Sequence, residues 1–126
     1  QPRSRGLGDV YKRQILLGKT TSENTAAMLN KPQDRRKIVQ PLIDAFNVEM
    51  SEFLWITHPD YNFLAVIIGK DDNDIQSACN ILYSSGAWNS FSWFRAFEST
   101  EMKNIFEDSS KKMANYISSI QVAEKK

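Results

Sequence analysis

The longest nearly apolar stretch of the chain is interrupted once, and this stretch limits the possible folds more than any other feature. Residues Phe53 to Ile68 form two apolar runs on either side of the turn-forming residues 58–60, which predicts a β-hairpin. A half-exposed strand alternates apolar and polar residues, but between Tyr61 and Ile68 only Asn62 is polar. Both faces of the hairpin are therefore expected to be covered, one of them by the protein's own helices.

Periodic patterns predict the other elements. In chain order we expect a strand at 15–17, helices over 22–29 and 33–47, the hairpin, a helix over 74–85, a strand over 88–98 and a helix from residue 99 to the C-terminus. Pro32 suits the first turn of the second helix, Pro41 is expected to kink it, and Asp72 or Asn73 caps the third. This order predicts an α+β fold: a ferredoxin-like βαββαβ domain over 15–98 with an antiparallel sheet, followed by an additional C-terminal helix over 99–126.

Helices on one side of such a sheet leave its other face uncovered. Large apolar surfaces are unusual on monomers, so a homodimer formed through the sheet face is the simplest expectation. The alternative is a monomer in which the C-terminal helix folds over that face.

Residues 4–14 resemble a translated sequencing adapter rather than protein-coding sequence, because an adapter used in tagmentation libraries translates codon by codon into this run. We therefore expect residues 1–14 to be non-native and to contribute nothing to the fold. Four basic residues against Asp9 give this segment a net charge of +3, so the remainder of the +1 chain is at −2. A mildly acidic domain with no basic cluster gives no support for nucleic-acid or anionic-membrane binding.

Composition narrows the class further. The hydrophobic fraction of 41% and the charged fraction of 25% are ordinary for a single globular domain. The apolar runs are shorter than the roughly 20 residues that span a membrane, and a cytoplasmic location is the default expectation. Cys79 is the only cysteine, which excludes an intrachain disulfide and a multi-cysteine metal site.

Several short motifs carry a family resemblance in their order and spacing. They are residues 30–36, the hairpin around Tyr61 and Asn62, residues 85–87, and the run Arg95 to Phe97. Together they resemble the GYD domain family of the dimeric α/β-barrel superfamily, over nearly all of residues 15–105. The family's Gly-x-Tyr-Asp motif corresponds to residues 59–62, where the tyrosine is kept but the glycine and the aspartate are replaced. The resemblance implies a homodimer whose two sheets close into a barrel, with no defined activity.

Candidate chemistry is sparse. His58 stands beside Asp60, so the two form either a proton-transfer pair or an ordinary solvated turn, and the second interpretation is favoured. Arg95 lies between aromatic residues and can hold an anionic ligand, stack on Trp93 or pair with an acid. Because His58 is the only histidine, no metal site is expected, and no cofactor is predicted.

Two functions remain open at this stage. The first is a homodimer that binds an apolar or aromatic small molecule or acts as a scaffold. The second is a cofactor-independent oxygenase or isomerase with a pocket between sheet and helices. His58, Tyr61, Asn62 and Arg95 are its candidate polar groups, and two or more of them would have to converge on a deep apolar pocket.

Overall fold

The computed structural model describes residues 11–124, which divide into two compact units. The sheet unit comprises residues 11–96, and the C-terminal unit comprises residues 97–124. The elements of the sheet unit are β1 (Lys12–Thr20), α1 (Ser22–Asn30), α2 (Arg35–Ala45), β2 (Glu49–Trp55), β3 (Phe63–Gly69), α3 (Asp72–Ser84) and β4 (Trp88–Ala96). No helix in the described part of the chain is long and apolar enough to cross a membrane.

The four strands form one antiparallel sheet in the order β2-β3-β1-β4. The first strand lies in the middle and pairs with both the third and the fourth, so β2 and β4 form the edges. Helices fill the connections from β1 to β2 and from β3 to β4. This arrangement confirms the α+β, ferredoxin-like fold that the order of elements predicts.

Strand pairing sorts the side chains into two faces. The inner face packs against α2 and α3, and its rows across the sheet are Met50-Ile67-Gln14-Arg95, Phe53-Ala65-Leu16-Trp93 and Trp55-Phe63-Gly18-Phe91. The outer face carries the rows Glu52-Val66-Ile15-Phe94 and Leu54-Leu64-Leu17-Ser92. The sequence predicted that both faces of the hairpin are covered. This prediction fits β3 best, whereas Leu54 and Trp55 at the end of β2 are each 46% exposed.

A β-bulge in β2 keeps its apolar residues on the inner face. Met50 pairs with Ile67 and Glu52 pairs with Val66, so Ser51 is an extra residue in the strand. The guanidinium of Arg36 donates a hydrogen bond of 2.9 Å to the carbonyl of Met50 and thereby ties α2 to the bulge. Asp34 caps this helix by accepting a hydrogen bond from the Arg36 amide.

The backbone of the other edge strand, β4, also receives a hydrogen-bond partner from a helix. The Tyr83 hydroxyl of α3 accepts a hydrogen bond of 2.9 Å from the backbone amide of Phe91 in β4. The rings of the two residues are in edge contact, with centroids 5.4 Å apart. The helix therefore covers part of the free edge of the sheet.

The first strand begins earlier than expected. It includes Lys12, Arg13 and Gln14, three of the residues that resemble adapter sequence, while residues 1–10 lie outside the described part. Gln14 is only 2% exposed, and its amide donates a hydrogen bond of 2.6 Å to Asp72 at the start of α3. The expectation that all of residues 1–14 lie outside the fold is therefore wrong for Lys12 to Gln14.

Helix ends differ from the expectations by a few residues. The second helix begins at Arg35 and is capped by Asp34, so Pro32 precedes it rather than occupying its first turn. The third helix is capped by Asp71, whose side chain accepts a hydrogen bond from the Asn73 amide, and not by Asp72 or Asn73. Each of the four positions 71–74 is an aspartate or an asparagine, and both residue types are good helix caps. The residue types alone therefore do not identify which position caps the helix.

The C-terminal unit is not a single helix. It contains α4 (Ser99–Ser110), a 3-10 helix (Met113–Asn115) and α5 (Ser119–Glu124). A capping box between Glu98 and Glu101 starts α4. The apolar spacing that predicted one helix continues through the breaks, because a 3-10 turn also places residues i and i+3 on one side.

Candidate functional site

The sheet unit contains a cavity between the inner face and the helices α2 and α3. Its volume is about 70 Å³, and apolar side chains form most of its lining. Leu16 and Ile67 contribute from the sheet, Ile43 from α2, and Ile75 and Cys79 from α3. All five are buried, so the cavity lies within the hydrophobic core.

The lining of this cavity also includes two charged residues. The charged residues that line it are Arg35, at the first position of α2, and Asp74, in the first turn of α3. Both side chains are half-buried, and Arg35 donates a hydrogen bond of 2.7 Å to Gln33. The lining therefore combines buried apolar side chains with one positive and one negative side chain.

Cys79 lies deep in this core. It is 2% exposed, and burial raises the pKa of its thiol to about 11. A thiol with such a pKa is protonated at neutral pH and is a weak nucleophile. Cys79 therefore packs as a small apolar residue.

His58 and Tyr61 belong to the turn between β2 and β3. The Nδ1 atom of His58 accepts a hydrogen bond of 2.9 Å from the backbone amide of Asp60. The imidazole and the Tyr61 ring are in contact, with centroids 5.5 Å apart. This geometry stabilises the turn and engages the backbone of Asp60 rather than its carboxylate, which fits the solvated-turn interpretation of His58.

Asn62 connects the hairpin to the end of β1. Its Nδ2 atom donates to the Thr20 hydroxyl at 2.9 Å, and its Oδ1 atom accepts from the Thr20 amide at 3.2 Å. Its backbone amide donates to the carbonyl of Gly18 at 3.0 Å, and its carbonyl accepts from the amide of Ile56 at 3.0 Å. Both ends of the side chain are therefore occupied by structural hydrogen bonds.

Arg95 occupies the inner face at the end of β4. Its cross-strand neighbour is Gln14, and Trp93 precedes it on the same face, as the alternation predicted. None of His58, Tyr61, Asn62 and Arg95 lines the apolar cavity. The convergence on which the enzyme interpretation depends is therefore not found at this cavity.

An aromatic cluster next to the cavity was not recognised as part of a site from the sequence. It consists of Phe53, Trp55, Phe63 and Trp88, whose rings are in contact in five of the six pairs, with centroid separations from 4.8 to 6.4 Å. Phe53, Phe63 and Trp88 line the cavity, whereas Trp55 lines a separate groove beside α1. The aromatic cluster therefore contributes lining residues to both the cavity and the groove.

Comparisons with known proteins find no matching protein-family model and no matching curated protein sequence. The resemblance to the GYD family therefore rests on the sequence motifs alone. Within residues 11–124, no group of three or more histidine, cysteine, aspartate or glutamate side chains is placed to hold a metal ion.

Proposed function

We propose that the protein binds a small apolar molecule in the cavity between the inner sheet face and the helices α2 and α3. The observation that carries the proposal is an apolar cavity of about 70 Å³ within the hydrophobic core, whose lining also includes Arg35 and Asp74. Engineered apolar cavities of about 150 Å³ bind benzene or xenon, so a space half as large suits xenon or a short hydrocarbon chain.

Xenon is the probe that tests this proposal. Under xenon pressure, methyl resonances of Ile43, Ile67 and Ile75 are expected to shift in NMR spectra, while methyl groups away from the cavity do not. The variant Ala78→Leu adds three carbon atoms to a residue that lines the cavity, so it should abolish these shifts. Its matched control is Ser77→Leu, which adds a leucine on the exposed side of the same helix.

Two results would contradict the proposal. The first is the absence of xenon-dependent shifts in the unmodified protein. The second is an equal response in the Ala78→Leu and Ser77→Leu variants, which would place the xenon elsewhere.

The protein is further proposed to act as a homodimer that packs through the outer sheet face. The support is the apolar character of that face, where Ile15, Leu17, Leu64 and Val66 form its centre and Phe94 is 46% exposed. The helices that contact the sheet within residues 11–96 lie on the inner face, and on the outer face Ile15, Leu17, Leu64 and Val66 are half-buried. The GYD resemblance implies the same face-to-face assembly.

Light scattering after size exclusion tests the assembly. At low micromolar concentration the full chain is expected to be a dimer, and Phe94→Glu should convert it to a folded monomer, because it places a charge in the interface. The control is Ile38→Glu, which changes a residue of similar exposure, 52%, on α2. A monomeric parent protein, or a Phe94→Glu variant that remains a dimer, would contradict the proposed interface.

A further inference from the structure

A second space in the sheet unit has a different chemical character from the apolar cavity. This groove measures about 250 Å³ and lies between α1 and the ends of the strands. Its lining residues are Thr20, Asn24, Thr25, Met28, Trp55 and Asn62. All six of these lining residues are uncharged, and five of them have a side chain with a hydrogen-bonding group.

The indole of Trp55 is unusually open for its position. Strand pairing places Trp55 on the inner face, in the same row as the buried Phe63, yet it is 46% exposed. Its neighbour in the groove, α1, contains no buried residue. That helix is attached at its start, where the Thr21 amide donates to the carbonyl of Ala87 at 2.9 Å and the Thr21 hydroxyl donates to the carbonyl of Gly86 at 3.0 Å. The groove therefore leaves part of an aromatic ring available to a ligand.

The hydrogen-bonding groups in the groove are not equally available. Thr20 and Asn62 bond to each other, and the hydroxyls of Thr20 and Thr25 are 3.3 Å apart. In contrast, the side-chain amide of Asn24 makes no hydrogen bond to any residue within 11–124. It offers one acceptor and one amino group to a molecule in the groove.

From these observations we infer that the groove binds a neutral planar ring that carries an amide-type edge. The ring would lie against Trp55, because aromatic rings stack favourably on indole. The amide edge would exchange two hydrogen bonds with Asn24, as amides do with asparagine side chains. A charged ligand would find no counter-charge among the lining residues. The volume lies just below the roughly 300–1,000 Å³ of sites for drug-sized ligands, so it accommodates one substituted ring.

Benzamide is the probe for this site, and titration followed by NMR is the measurement. We expect saturable shifts at the Trp55 indole and at the side-chain amide of Asn24. Cyclohexanecarboxamide keeps the amide but lacks the flat ring, and toluene keeps the ring but lacks the amide. Each should bind at least about five times more weakly than benzamide, since each loses one of the two interactions.

Variants locate the binding. Asn24→Ala should weaken benzamide binding about tenfold, as expected for the loss of two neutral hydrogen bonds. The control Asn30→Ala changes an exposed asparagine at the end of the same helix and should leave the affinity unchanged. Trp55→Leu should also weaken binding, with the fold of the variant checked by its amide spectrum.

Three results would overturn the inference. They are no saturable shift with benzamide, equal affinity for benzamide and cyclohexanecarboxamide, and equal loss of affinity in Asn24→Ala and Asn30→Ala. The benzamide experiment does not depend on whether the apolar cavity binds xenon, because xenon binding is measured at different residues. Benzamide binding without xenon binding would support the groove and contradict the cavity, and the reverse pattern would do the opposite.

Discussion

Replacing Asn62 tests whether this residue is structural or reactive. Thr20, the partner of its side chain, is 6% exposed, so water cannot readily replace the two hydrogen bonds. In Asn62→Ala the Thr20 amide loses its acceptor. A typical hydrogen bond contributes about 1 kcal/mol, and a buried group left without a partner costs roughly 1–3 kcal/mol. The expected loss in the free energy of unfolding is therefore about 2–4 kcal/mol, a large share of the roughly 5–15 kcal/mol of a typical domain.

The matched variant is Asn62→Asp, which keeps the shape of the side chain. A carboxylate oxygen still accepts from the Thr20 amide, and the Thr20 hydroxyl can turn to donate to the other oxygen. The hydroxyl of Thr25, 3.3 Å from that of Thr20, can then act as the donor between the two threonines. We expect Asn62→Asp to cost less than about 1 kcal/mol, even though it introduces a charge.

Urea unfolding followed by tryptophan fluorescence measures both variants, and a double-mutant cycle with Thr20→Val isolates the interaction. The cycle should give a coupling free energy of about 1–2 kcal/mol between residues 20 and 62. If Asn62→Ala lost less than about 0.5 kcal/mol, or if the coupling were absent, the structural role assigned to Asn62 would be refuted.

Three further predictions concern other parts of the sheet unit. Deleting residues 1–14 should lower the free energy of unfolding relative to deleting residues 1–10, because the longer deletion removes Gln14 and its hydrogen bond to Asp72; equal stabilities would show that the start of β1 is dispensable. Cys79 should react with a thiol reagent at pH 8 only after unfolding in urea, since burial raises its pKa to about 11; rapid reaction of the folded protein would contradict its burial. Gly86→Ala should lower the free energy of unfolding by about 1–2 kcal/mol, measured by thermal unfolding, because the φ of +77° at this position is unfavourable for residues with a side chain. The space around Gly86 is open, so the cost comes from the backbone, and Gly86→Asn should cost less.

The strands and helices of the sheet unit could be predicted because local patterns determine them. The apolar run of β3 and the helical spacing of α3 are visible in consecutive residues. The hairpin turn at residues 58–60 was also predictable, since proline and aspartate favour turns. The capping residue of α3 was harder to predict, because residues 71–74 all have side chains that can cap a helix.

The groove could not be predicted from local patterns. It brings Asn24 of α1 together with Trp55 and Asn62 of the hairpin, residues that are far apart in the chain. A tryptophan in an apolar strand is usually a core or interface residue. Only the gap between α1 and the sheet leaves the indole open, and no motif in the sequence signals a gap. For His58 the sequence left open a pairing with the carboxylate of Asp60. The structure instead shows a hydrogen bond from the backbone amide of Asp60 to the imidazole, which sequence proximity does not reveal.

The contact between Tyr83 and the amide of Phe91 has a consequence for how the protein behaves at high concentration. An unpaired edge strand is a template on which other chains can add, and β4 is rich in aromatic residues and contains no proline. A hydroxyl that already accepts the amide of Phe91 removes one site at which such a strand could pair. Losing that hydroxyl, as in Tyr83→Phe, would favour aggregation before it changed the fold. We therefore expect Tyr83 to lower the tendency of the protein to self-associate through β4.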